Sequence, residues 1–308
     1  MIQWAIVVAI FVFLGRMVWE NWSQVKEASF HFRPFHLVLS TLFFVLWYVT
    51  QIWAWYLITV KLGIAISLRE TLESWFYSQL GKYLPGKVWL LLGRYYFYEA
   101  KGKSRGKISI ALYLEVVTVL LAAGLLSAIG TVSFREANAF RSNMEIWWAF
   151  VLLIIVFLSL YPKFLQKILN WILILFRKEP IILSISYRDI SWILLVCILS
   201  WIIGGIGFWI FVDSVFAIPS QHILFLTGAL ALSSTLGLIA LFAPSGLGVR
   251  EGVLVYLLSH LMPEGVAVII SVLTRIWMTL VEIGLIGVVY LLSKIRKGLG
   301  KRDRYVKT

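Results

Sequence analysis

The stretch that decides the fold is FAPSGLGVREG, residues 242–252, in a chain that is otherwise rich in tryptophan, leucine and isoleucine. Its proline and glycines disfavour a continuous helix, and Arg250 and Glu251 bring two charges to the interruption. Lipid cannot satisfy freed amide and carbonyl groups, so irregular backbone at membrane depth must be buried in protein or line a watery cavity. The stretch therefore predicts a polar site inside a membrane protein.

Composition places the chain in the membrane class. Of 308 residues, 61% are hydrophobic and 14% are charged, which is too little polar surface for a soluble domain of this length. The net charge is +13, but the basic residues lie in short segments between apolar runs, a pattern typical of positive-inside topology. The single cysteine and the scattered histidines form no ligand pattern. We therefore expect no metal, no cofactor and no nucleic-acid partner.

Apolar runs long enough to cross a bilayer, about 20 residues each, recur along the chain. They cover residues 2–19, 37–60, 108–132, 190–212, 221–242 and 265–292. A shorter run at 146–161 precedes an amphipathic segment after Pro162, which we expect to lie in the interface. The first run lacks the basic start and cleavage site of a secretory signal, so it is interpreted as a retained span. The predicted fold class is an all-α, polytopic integral membrane protein.

Lysine and arginine residues orient these spans. They are concentrated in residues 61–107, 162–188 and 294–307, which we place in the cytoplasm. The protein is predicted to lie in the plasma (inner) membrane. A transmembrane domain at residues 1–293 is then followed by a basic cytoplasmic tail at 294–308. Three full spans separate the last two basic segments, so a fourth crossing is needed between them. Residues 243–262 are the candidate, predicted to be a helix broken at Pro244.

Another interruption lies earlier in the chain, at Pro85 and Gly86, which split an apolar stretch ending at Arg94. It is called the first interruption below, and the one at Pro244 the second. Each interruption follows two spans and precedes another, an order that favours the inverted repeats whose discontinuous helices build a central site in many transporters. If both interruptions cross, the chain has about nine crossings. If the first is a re-entrant or interfacial hairpin, it has eight. The sequence leaves both topologies open.

The second interruption predicts an anion site. Amide groups freed at Gly246 and Gly248 would lie at the positive end of a helix that begins near Val249. Arg250 adds forked donors that suit phosphate. Glu251 is placed either to hold Arg250 or to cap the helix.

The last span carries Arg275 and Glu282, which are two turns apart and about 10 Å from each other on one helix face. Ionisable residues at this depth normally face the bundle interior or a cavity. Glu115, in the span at 108–132, is a candidate partner of Arg275 or Arg250. Glu115 and Glu282 are also candidates for ion coupling. The alternative is that Arg275 and Glu282 form an internal ion pair that locks helices together.

With these residues, the chain resembles the transmembrane flippase-like domain of the lysylphosphatidylglycerol synthetase/flippase family. One motif is GKYLPGKV with a downstream arginine and glycine, and the other is APSGLGVREG followed by an arginine in the last span. The matching residues are Gly81, Pro85, Gly86, Arg94, Gly102, Pro244, Gly246, Gly248, Arg250, Glu251 and Arg275. The sequence has PSG where relatives often have PGG.

The resemblance implies movement of a lipid with a polar headgroup between leaflets. No synthetase domain follows the basic tail in this sequence, so aminoacylation is not expected and the identity of the lipid does not carry over. The leading hypothesis is a flippase for a phospholipid or glycolipid, anionic or lipid-linked, with Arg94, Arg250 and Arg275 contacting phosphate. No hydrolytic or nucleotide-binding motif is present, so we do not expect an enzyme.

Two other functions remain open from the sequence. The chain could instead be a non-transporting membrane partner or scaffold of a glycosyltransferase or cell-envelope enzyme, or an intramembrane enzyme acting on a lipid-linked sugar. A carrier requires its charged residues to converge on one cavity, whereas a scaffold requires only an exposed docking patch.

Overall fold

A computed structural model describes residues 22–84, 88–134, 185–240 and 243–305, with isolated positions between 12 and 20 and between 154 and 171. Every regular element in these ranges is helical. Four sequence predictions fall outside the described residues. They are the spans at 2–19 and 146–161, the amphipathic segment after Pro162, and the interruption at Pro85 and Gly86.

The α-helices follow one another with short connections. In chain order they are α1 (Trp22–Glu27), α2 (Pro34–Lys61), α3 (Leu68–Gln79), α4 (Val88–Ala100), α5 (Arg105–Ser133), α6 (Tyr187–Val215), α7 (Ile223–Ile239), α8 (Val249–Leu258) and α9 (Glu264–Tyr305). Short 3₁₀ turns cover Leu80–Tyr83, Ser220–His222 and Pro244–Gly246.

Five helical segments in the described ranges are long and apolar enough to cross a membrane. They are Pro34–Lys61, Arg105–Ser133, Tyr187–Val215, Ser220–Ile239 and Glu264–Ile295. Each coincides with a predicted span to within about three residues, so the all-α membrane class is confirmed. The helix α9 continues through the predicted tail as far as Tyr305. The domain boundary at residue 293 stays a prediction.

Local sequence signals explain where several helices begin. A capping box starts α3, in which Ser67 and Glu70 each accept a hydrogen bond from the backbone amide of the other. Ser186 and Asp189 form the same motif at the start of α6. Proline at the first position of α2 costs nothing, because the amide it lacks would have no intrahelical partner.

Small residues bring the core helices into backbone contact. A Cβ atom at Gly130 of α5 would lie 2.7 Å from the carbonyl oxygen of Leu224, and one at Gly228 of α7 would lie 2.9 Å from that of Leu126. A Cβ at Gly204 of α6 would lie 2.8 Å from the Trp47 ring of α2. Close approach through glycine is a typical means of packing helices in a membrane. These contacts fix the frame around the site.

Two short turns that flank the interruptions in sequence contact each other in the structure. The turn at Leu80–Tyr83, just before the first interruption, contacts the turn at Pro244–Gly246 in the second. The long helix α9 packs against α3, which leads into the first turn, and against α8, which follows the second. Elements that are far apart in sequence are therefore neighbours in the structure, and α9 packs beside the helices next to both turns.

Candidate functional site

A cavity of about 510 Å³ lies beside the turns at Leu80–Tyr83 and Pro244–Gly246. Its walls come from α2 to α9 and include the rings of Trp47, Trp75 and Trp201. The charged residues that line it are Lys82, Arg94, Glu115, Arg250, Arg275 and Glu282. The structure therefore brings Arg94, Arg250 and Arg275 to one cavity, together with both carboxylates that the sequence singled out for coupling.

The backbone of the second interruption is left-handed at consecutive positions. Ser245 has φ 52° and ψ 18°, and Gly246 has φ 70°. Glycine accepts such angles freely, whereas a serine is strained there. Arg275 holds the strained residue, because its Nη2 donates to the Ser245 carbonyl oxygen at 2.9 Å and to Oγ at 2.6 Å. The hydroxyl thus explains how serine is accommodated where a glycine would be unstrained.

Gly246 serves close packing. A Cβ atom there would lie 2.6 Å from the carbonyl oxygen of Gly237 in α7. Its amide donates to the Ala243 carbonyl oxygen at 2.9 Å. The amide of Gly248 donates to Glu251 Oε2 at 2.5 Å. Both amides are bonded within the chain, which corrects the expectation that they are free for an anion. The physical reason is that the helix supplies its own carboxylate at its positive end.

Glu251 has two roles in this arrangement. One oxygen caps α8 through Gly248, and the other lies 3.7 Å from Arg275 Nε. The side chain is only 2% exposed. Of the two alternatives left open by the sequence, the structure shows the cap, and it places Glu251 beside Arg275 and not in an ion pair with Arg250.

Arg94 and Glu115 form a buried ion pair. Arg94 Nη1 lies 2.5 and 2.6 Å from the two carboxylate oxygens, and the side chains are 3% and 12% exposed. The guanidinium carbon lies 4.8 Å from the centre of the Trp55 ring and 6.0 Å from that of Trp75. This corrects the expectation that Glu115 partners Arg275 or Arg250. The short connection between α4 and α5 makes them neighbours, so Glu115 meets Arg94 first.

Glu282 binds the turn at Leu80–Tyr83. Its Oε2 accepts hydrogen bonds from Lys82 Nζ and, at 3.2 Å, from the Tyr48 hydroxyl. Arg275 and Glu282 therefore do not pair with each other, contrary to the internal-pair alternative. Each one contacts a different turn, Arg275 through Ser245 and Glu282 through Lys82.

Lys82 was missed as a site residue although it lies inside the quoted motif GKYLPGKV. The signal that could have found it is a lysine directly before an interruption in an apolar stretch, where a charge needs a partner. Tyr48 gave no such signal, because a tyrosine in an apolar span is indistinguishable from a packing residue.

Arg250 differs from the other cavity arginines. Its Nη2 donates to the thioether sulfur of Met278 at 2.9 Å, and sulfur is a weak acceptor. Among the described residues, no carboxylate oxygen lies within 4.0 Å of a guanidinium nitrogen of Arg250, so Arg250 forms no ion pair with them. Its positive charge is the least compensated in the cavity.

The charges of the site leave a net positive balance. Four cations line the cavity, against Glu115 and Glu282 in its wall and Glu251 directly behind Arg275, which gives +1. The hydroxyl groups of Ser234 and Thr235 also line it, and neither has a partner within the described part of the chain. Such a site can hold one negative charge and donate further hydrogen bonds to it.

Comparison with known families agrees with this architecture. Residues 2–287 match the family described as lysylphosphatidylglycerol synthase TM region, a match that spans both interruptions and every charged residue of the cavity. A search of curated proteins finds no match to the chain. The chain is a multi-pass α-helical membrane protein that belongs to the lysylphosphatidylglycerol synthase TM region family.

Proposed function

We propose that the protein is a carrier that moves a lipid with an anionic headgroup between the leaflets of the membrane. Membership in its family supports a role in lipid modification or translocation. The observation that carries the finer proposal is the convergence of cations on one cavity, in which Arg250 has no carboxylate partner among the residues that the structure describes. The headgroup enters this cavity while the acyl chains stay in the bilayer.

The balance of charge favours a headgroup with one negative charge. A phosphodiester carries a single charge and presents two oxygens that suit the forked donors of a guanidinium. A zwitterionic headgroup would add an ammonium group to a cavity that is already net positive. A pyrophosphate would leave at least one negative charge without a free cation. A monoanionic phospholipid therefore matches the site best.

The same convergence supports a carrier over the two rival functions. A scaffold of a glycosyltransferase or cell-envelope enzyme would need no cluster of cations inside the bundle. Binding and releasing an anion needs only the charges and hydroxyls described, so we propose a carrier and not an enzyme that acts on a lipid-linked sugar.

We also propose that residues 243–262 complete a crossing, which gives eight or nine in the whole chain. The helix α8 has ten residues and spans about 15 Å, half of a hydrocarbon core of about 30 Å. The residues on either side of it, 243–248 and 259–262, add to this length. With this crossing, we propose that the protein lies in the plasma (inner) membrane with its basic C-terminal residues in the cytoplasm. If the first interruption also crosses, the two interruptions have opposite orientations.

Lipids that co-purify with the protein test the proposal. Native mass spectrometry of the detergent-solubilised protein should show a monoanionic phospholipid enriched over its share of the membrane extract. Arg250→Gln is the matched control and should lose this enrichment. Bound lipids that mirror the extract, or equal enrichment in the variant, would contradict the proposal.

A further inference from the structure

Two of the carboxylates at the site have a structural role, since Glu251 caps α8 and Glu115 pairs with Arg94. Neither interaction explains the position of Glu282. Its side chain is 3% exposed, and it lines the cavity from α9. Oε2 accepts the hydrogen bonds from Lys82 and Tyr48, while Oε1 has no partner among the described residues. A buried carboxylate oxygen without a donor is costly. The cost indicates a role for Glu282 beyond holding helices together.

Lys82 is suited to changing partners. Its side chain is 23% exposed, lines the same cavity as Arg250, and ends in an ammonium group with three donors on a flexible stem. Arg94 offers a contrast, since its guanidinium is fixed between both oxygens of Glu115 and the ring of Trp55. A carboxylate and a phosphate present the same kind of anionic oxygen to an ammonium group.

We propose that Glu282 stands in for the headgroup anion and holds Lys82 while the cavity is empty. When a lipid enters, Lys82 breaks its ion pair with Glu282 and binds the lipid phosphate. When Lys82 pairs with Glu282 again, the phosphate loses this contact, which assists release of the lipid. Tyr48 donates to the same oxygen of Glu282 at 3.2 Å, so Glu282 would keep this donor after the exchange. This inference rests on the proposed function, because it needs an anionic lipid in the cavity.

The exchange has a mechanical consequence for the two turns. Glu282 of α9 binds the turn at Leu80–Tyr83 through Lys82, and Arg275 of α9 binds the turn at Pro244–Gly246 through Ser245. The two contacts lie seven residues, about 10 Å, apart along α9. Headgroup binding would release the first contact and leave the second in place. The turn at Leu80–Tyr83 can then move relative to α9 in a lipid-dependent manner.

Binding of dioctanoyl phosphatidylglycerol to purified variants tests the exchange. Glu282→Gln removes the competing carboxylate, so it should bind the probe at least about tenfold more tightly than wild type while leaflet exchange slows. The double variant Lys82→Gln with Glu282→Gln lacks both groups and leaves no charge of the pair unpartnered. It should lose this gain and bind at least about tenfold more weakly than Glu282→Gln.

Glu115→Gln is the charge-matched control, because it removes one carboxylate of the same cavity whose partner is fixed. Equal tightening in this control, or equal affinities in Glu282→Gln and the double variant, would overturn the exchange. If Glu282→Gln does not fold, Lys82→Gln carries the test, with binding weakened at least about tenfold as the expected result and unchanged binding as the contrary one. Wild-type protein that binds no probe would overturn the proposed function as well, which separates the two failures.

Discussion

The substitution Arg250→Gln is expected to weaken headgroup binding while leaving thermal stability unchanged or slightly higher. Arg250 donates a hydrogen bond to the sulfur of Met278, and among the described residues no carboxylate lies within ion-pair distance of it. Glutamine keeps part of the side-chain length and removes a charge that takes part in no ion pair with those residues. Loss of a charge-assisted contact to phosphate costs about 1.5 to 3 kcal/mol, or roughly tenfold to a hundredfold in affinity.

The same substitution at Arg94 should have a different result. Arg94→Gln would leave Glu115, which is 12% exposed, without its cation. Breaking a buried ion pair by removing one partner typically costs about 3 to 5 kcal/mol. The unpaired carboxylate destabilises the folded protein, so we expect a lower melting temperature and a lower yield. Arg250→Lys keeps the charge but loses the fork, so its affinity should be intermediate.

Calorimetric titration with dioctanoyl phosphatidylglycerol and thermal unfolding in one detergent measure both properties on each variant. The reasoning would be refuted by an Arg250→Gln protein that melts as low as Arg94→Gln, since Arg250 would then have a structural partner. Wild-type affinity in Arg250→Gln would refute its role in headgroup binding.

Further predictions concern other parts of the structure. Gly246→Ala should cost about 2 kcal/mol or more, because its Cβ would lie 2.6 Å from the Gly237 carbonyl oxygen at a positive φ, and a lowered melting temperature would show this. The hydrogen bonds from Lys101 and Ser67 lower the pKa of Glu70 from 4.5 to about 2. Glu70 therefore contributes its full stabilisation above pH 4.5 and loses it as the pH falls to about 2. The Glu70→Gln variant should have a lower melting temperature than wild type at pH 6, and its melting temperature should change less between pH 4.5 and pH 2. The Val306→Cys variant should not be labelled by an impermeant thiol reagent added outside intact cells, because the tail is cytoplasmic. The native Cys197 is only 3% exposed, so it should contribute little labelling of its own. Rapid labelling of the variant would contradict a cytoplasmic tail.

The membrane-spanning helices were predictable from the sequence because the length of an apolar run is a local property. The spans from Pro34–Lys61 to Glu264–Ile295 follow from hydropathy alone. The start of α8 near Val249 was also local, since proline and glycine act on their own backbone. An ionisable residue inside an apolar run is also recognised locally, so most charged residues of the cavity were predicted as candidates, although Lys82 was missed.

The partners within that set could not be predicted. Whether Glu115 meets Arg94 or Arg275 depends on which helices are neighbours and how each is rotated, and sequence spacing does not encode this. The amides of Gly246 and Gly248 illustrate a different limit. A glycine-rich helix start predicts free donors, yet a carboxylate three residues later satisfies one of them.

Leaflet exchange in proteoliposomes tests the central claim most directly. Fluorescent phosphatidylglycerol and phosphatidylethanolamine, followed by dithionite quenching of the outer leaflet, compare a monoanionic with a zwitterionic headgroup on the same vesicles. The account predicts that wild-type protein accelerates exchange of phosphatidylglycerol over protein-free vesicles, favours it over phosphatidylethanolamine, and loses most of this activity in Arg250→Gln. Exchange of both lipids at the protein-free rate, or equal exchange by wild type and Arg250→Gln, would contradict it.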